Sequence, residues 1–99
     1  MTKIKKLVDN IKEELCGAKS YAEHYVEQKA KGNSQWANRF KEMSQDELNH
    51  ATYLHELTIS EIEELSKVIT PPNKMLEKWE KIHSEYVEEV AWIKQMLSL

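Results

Sequence analysis

Residues that break a helix are nearly absent from this chain, and three of the four that occur sit in two short clusters. There are two glycines and two prolines in 99 residues. Gly32-Asn33-Ser34 forms the first break. Glycine suits the left-handed end of a helix, and Asn or Ser caps the start of the next. Lys29 and Lys31 precede it, where cations favour a helix C-terminus. The second break is Thr70-Pro71-Pro72-Asn73. Paired prolines cannot continue a helix but fit the first turn of one. This punctuation predicts three helices, over about 3–31, 34–67 and 72–97, in one all-α domain spanning 1–99. Charged residues at 31% and hydrophobic residues at 40% fit long amphipathic helices and argue against a sheet-rich fold.

Spacings of three and four pick out one apolar stripe per helix. The first holds Ile4, Leu7, Val8, Ile11, Leu15, Ala18, Ala22 and Tyr25. The second holds Trp36, Phe40, Met43, Ala51, Leu54, Ile62 and Leu65. Leu76, Trp79, Ile82, Tyr86, Val90, Ile93 and Leu97 make the third. Polar interruptions carry the chemical information. Glu14 lies between Ile11 and Ala18, while Glu47 and His50 lie between Met43 and Leu54. A Glu and a His three residues apart project about 60° apart on a helix, so both reach one point. Burying them in an apolar face is costly unless something compensates, and a metal ion is the usual compensation. Counted from the turn, Glu14 stands ~27 Å back along one helix, and Glu47 and His50 ~22–27 Å along the next. An antiparallel hairpin brings these three to one level. Carboxylates with an imidazole suit iron or manganese.

Residues 11–57 resemble the first helical hairpin of the ferritin-like superfamily, and look closest to the rubrerythrin type. Glu14, Ala18 and Tyr21 carry the likeness in the first helix. In the second it rests on Phe40-Lys41-Glu42-Met43, Asp46-Glu47-Leu48-Asn49-His50-Ala51 and Leu54. The resemblance implies that Glu14, Glu47 and His50 ligate iron in a di-iron centre, with Glu47 bridging; manganese is the alternative metal. Ferritin-like bundles draw their ligands from four helices. This chain has one such hairpin plus one helix, and no Cys-x-x-Cys pair of a rubredoxin-type domain. Encapsulated ferritins complete the site by pairing two short chains across a symmetry axis. The same solution here implies a homodimer or higher even-numbered oligomer, a four-helix bundle completed by dimerisation, and ferroxidase chemistry in which Fe(II) is oxidised at a shared site. The competing expectation is a non-enzymatic helical adaptor or assembly protein, with the same three residues as a polar cluster.

Other features have plainer readings. A second Glu-x-x-His, Glu80 and His83, falls ~10–13 Å from the level of the first. His83 is expected to be partly buried with a polar partner, and Glu80 to lie on the surface. His24 and His55 are expected to be solvated, Cys16 to be a small packing residue, and Trp36, Trp79 and Trp92 to anchor the core. Tyr21 and Tyr53 read as tyrosines at the core edge, and Glu61 to Glu64 as an exposed run. A net charge of −3 offers no basic footprint for nucleic acid. No apolar run approaches the ~20 residues that span a bilayer. A lone cysteine and the lack of a signal-type apolar core make a cytoplasmic location the expectation.

Overall fold

A computed structural model describes residues 2–99 and contains three α-helices among them: α1 (Thr2–Ala30), α2 (Ser34–Ser66) and α3 (Asn73–Leu97). They lie side by side in a rod of 55 × 17 × 17 Å. Each boundary falls within a residue or two of its expected place. Gly32 adopts φ 76°, a conformation that costs a residue with a Cβ but not glycine. There the Asn33 N–H donates to the Gln28 carbonyl at 2.9 Å, and the Gly32 N–H donates to that of Lys29 at 3.0 Å. This double bond pattern closes α1. Asn33 then turns its side chain forward and accepts from the Trp36 N–H at 3.5 Å, capping α2. Pro72 is the cap of α3, so that helix begins one residue later than expected.

Cross-helix contacts set the register. At one end of the α1–α2 hairpin, Lys3 pairs with Glu61 at 2.9 Å. Midway along, the Ser44 hydroxyl donates to the Ala18 carbonyl at 2.7 Å. α3 runs back along α2, with Thr52 and Tyr86 hydroxyls 3.1 Å apart. It lies parallel to α1, where Lys19 sits over the Trp92 ring at 4.9 Å and Lys29 donates to the Leu99 carbonyl.

The inward face of α1 matches its predicted stripe: Ile4, Leu7, Ile11, Leu15, Ala18, Ala22 and Tyr25 are buried. α2 follows its stripe only in part: Ala51 is buried as expected, while Phe40, Leu54, Ile62 and Leu65 are half-buried and Trp36 and Met43 are exposed. Its buried residues are Ala37, Ser44, Leu48, Ala51, His55 and Thr58, a face rotated by about one residue from the predicted one. Trp36 is 54% exposed and Met43 40%. The physical reason is the close approach of α1 and α2. Ala18 and Ala22 face a helix that must itself present small residues, and a hydroxyl–carbonyl bond between Ser44 and Ala18 requires the backbones to be near. Ile82, Ile93 and Leu97 of α3 close the core from the other side. Burying an isoleucine such as Ile11 or Ile93 contributes roughly 1.5–3 kcal/mol.

Several plain readings need correction. Trp36 and Trp92 are exposed, leaving Trp79 as the tryptophan packed against the core. Trp92 instead lies under the Lys19 ammonium. Cys16 is exposed, on the side of α1 that borders a groove shared with Glu85 and Glu89 of α3. His55 is buried rather than solvated, because the rotated face of α2 carries it inward. Glu61 is half-buried by its pairing with Lys3, while Glu63 and Glu64 are exposed.

Candidate metal centre

Glu14 projects from α1, and Glu47 and His50 project from α2, toward the seam between the two helices. The hairpin register brings them together as the residue count predicts. Each offers a ligand atom, and the three atoms lie within 4.8 Å of one another. His50 Nδ1 is 3.4 Å from Glu14 Oε2 and 3.9 Å from Glu47 Oε1. Donor atoms bound to one first-row ion at about 2.0–2.2 Å stand roughly 2.8–3.6 Å apart when adjacent. The His50–Glu14 pair already falls in that range, and the His50–Glu47 pair lies a few tenths of an ångström outside it. Two carboxylate oxygens and an imidazole nitrogen form a donor set suited to iron or manganese.

The site is not buried, which corrects the expectation of an inner-face position. The Glu14 and Glu47 side chains are 26% and 28% exposed, and His50 is 54% exposed. Rotation of α2 toward its small residues carries Glu47 to the edge of the hairpin seam and His50 beyond it. The cluster thus opens outward, on the side of the hairpin away from α3.

Electrostatics within the cluster favour a cation. The Glu47 carboxyl is pushed above its ordinary value of 4.5. Its hydrogen bond with Glu14 is the main cause, followed by burial and the charge of Glu14. Asp46 adds to the rise and His50 opposes it. A cation between the two carboxyls relieves the repulsion that contributes to this rise.

One residue of the site escapes a reading based on ligand types. An ideal Cβ on Gly17 would stand 3.0 Å from Glu47 Oε2. Glycine in mid-helix is unfavourable by about 0.8–1.0 kcal/mol relative to alanine. Its occurrence three residues after Glu14 is the signal in the sequence, because it vacates the space that the Glu47 carboxylate fills.

Other predicted candidates lie elsewhere. Tyr21 is half-buried and stacks on Phe40 with ring centroids 6.3 Å apart, whereas Tyr53 is 66% exposed. His24 is exposed and also stacks on Phe40, at 4.9 Å. Glu80 is exposed as expected; His83 has a polar partner, His55, but is exposed rather than partly buried, because it stands at the rim of the α2–α3 contact. Among the described residues, Glu14, Glu47 and His50 are the one group of three or more metal-ligating side chains placed to share an ion. No family model, curated protein or solved structure matches the chain.

Proposed function

We propose that this chain is half of a di-iron carboxylate protein, and that two copies meet at the outer face of α2 to oxidise Fe(II) at a shared site. The carrying observation is where the cluster opens. Trp36, Phe40, Met43, Glu47, His50, Leu54, Leu57 and Glu61 repeat at alternating spacings of four and three along α2. That spacing defines a helix-packing seam. Trp36, Met43 and Leu57 are exposed on it, and Phe40 and Leu54 are half-buried. Glu47 and His50 fall in its middle. A second copy related by a two-fold axis covers these apolar side chains and adds its own Glu14, Glu47 and His50.

Within that assembly each residue has a defined task. Glu14 and Glu47 bind Fe(II) as carboxylates. His50 contributes Nδ1 as a neutral ligand. The carboxylate charge favours the ferric over the ferrous ion, easing loss of one electron per iron to dioxygen or peroxide. Gly17 leaves room for the Glu47 carboxylate to move between these tasks.

A second reading is favoured by one observation: the cluster satisfies itself. His50 lies within hydrogen-bond distance of Glu14, and the ligand atoms of all three residues lie within 4.8 Å of one another. On that reading the chain is a helical adaptor whose polar cluster needs no ion. Anaerobic titration with Fe(II), followed by sedimentation, separates the two. The metal reading expects about one iron per chain and a dimer, with affinity lost in Glu47→Gln. Absence of Fe(II) binding above that of Glu47→Gln selects the adaptor.

A further inference from the structure

We propose that His55 and His83 form a proton-controlled latch that holds α3 on α2. His55 Nε2 and His83 Nδ1 are 2.8 Å apart. His55 is buried at the α2–α3 contact and stacks on Tyr86, with centroids 4.2 Å apart and planes 12° from parallel. Trp79 is tilted against the same imidazole at 5.2 Å. The neighbouring Thr52–Tyr86 hydroxyl pair is 3.1 Å apart. One imidazole pair therefore joins two rings of α3 to α2.

The chemistry of that pair sets its response to acid. When both rings are neutral, one N–H donates to the other ring's lone pair. A single added proton is still shared across the same bond. A second proton turns both facing nitrogens into donors, at contact distance, and places like charges there. His55, the buried member, resists that charge; burial lowers its affinity for a proton, and His83 lowers it further. Glu56, beside it on α2, acts weakly in the opposite direction. From α3 the groups nearby are His83 and the exposed Glu80, with the Tyr86 hydroxyl turned to Thr52. α1 presents buried Leu7 and Ile11 at this height, while its Asp9 and Lys12 are exposed.

The sign follows from linkage. The released chain binds a proton near the ordinary value of 6.5, and the docked His55 does so only at lower pH. Docking is at full strength above 6.5 and weakens as pH falls through that value toward the lowered one. Each refused proton weakens it by up to about tenfold per pH unit.

The experiment follows the imidazoles by NMR in the intact protein from pH 7.5 to 5.0. Hydrogen exchange of the α3 amides, corrected for the intrinsic rate, is read in parallel. His55→Phe keeps a ring on Tyr86 and removes the proton site, and His83→Gln keeps a neutral hydrogen-bonding partner. In the parent, α3 protection relative to α1 should fall between pH 7.5 and 5.0, with the loss setting in as pH drops through 6.5. In His55→Phe that loss should disappear, and in His83→Gln it should shrink. Equal loss in parent and His55→Phe overturns the latch. So does an imidazole of His55 that protonates at 6.5 or above while α3 stays protected, a result that needs no variant to fold.

Discussion

Gly17→Ala separates what the site asks of this helix from what the fold asks. The new methyl group adds helix propensity worth about 0.8–1.0 kcal/mol. In a domain of this length that corresponds to a rise of roughly 4–8 °C in Tm. Against it stands the contact with Glu47. The Cβ would lie 3.0 Å from Oε2, 3.5 Å from Cδ and 3.7 Å from Cγ. Ordinary contact begins near 3.4 Å, so the oxygen must retreat by 3.4 − 3.0, or about 0.4 Å. It is the far end of a half-exposed side chain and can do so by a small torsional shift, at a cost no greater than the low end, about 0.5 kcal/mol, of a fully off-rotamer side chain. The metal-free variant should therefore melt at or above the parent temperature. Metal binding tolerates far less, since ligand distances hold within about ±0.2 Å. Affinity for Fe(II) should fall at least tenfold, or about 1.4 kcal/mol. Circular dichroism melts and anaerobic calorimetry with Fe(II) measure the two quantities. A lower Tm in the metal-free variant would refute the argument that Glu47 can yield. Unchanged affinity would refute the placement of Glu47 in the site.

The ligand assignment predicts that Glu47→Ala and His50→Ala each lose most Fe(II) affinity, whereas Glu80→Ala and His83→Ala keep it; calorimetry on the four variants checks this. For the outer seam, sedimentation at micromolar concentration should show a dimer or higher even-numbered oligomer, and Leu57→Asp should shift it toward monomer. The pH dependence of the metal-free protein carries a sign set by Glu47. Its carboxyl is raised above 4.5 chiefly by the bond with Glu14, so its contribution is full below 4.5 and is lost as pH rises through the raised value. Urea unfolding of the His55→Phe protein, which removes the opposing histidine effect, should show this fall, and Glu14→Gln should flatten it. Ser44→Ala should cost about 0.5–1.5 kcal/mol, the net worth of its bond to Ala18, as a lower melting temperature.

Helix number, helix ends and chain direction were legible in the sequence, because they depend on local chemistry. Gly32 and Asn33 close one helix and cap the next through bonds that span only a few residues, and Pro71-Pro72 stop any helix whatever surrounds them. The meeting of Glu14, Glu47 and His50 was legible too. A fixed rise per residue and a short turn make level a matter of counting. What the sequence could not decide was rotation about the axis of α2. Hydrophobic spacing alone assigns the inner face to the larger side chains, Trp36 and Met43. The bundle instead buries Ala37 and Ser44 beside the expected Ala51, because two helices can approach closely only where both are small. That rotation moves the cluster from the core to an outward seam and gives Gly17 its role beside Glu47. It also carries His55 into the α2–α3 contact, where a histidine 28 residues away becomes its partner. Local rules fix where each helix begins, ends and stands; packing against two neighbours at once fixes which way it faces.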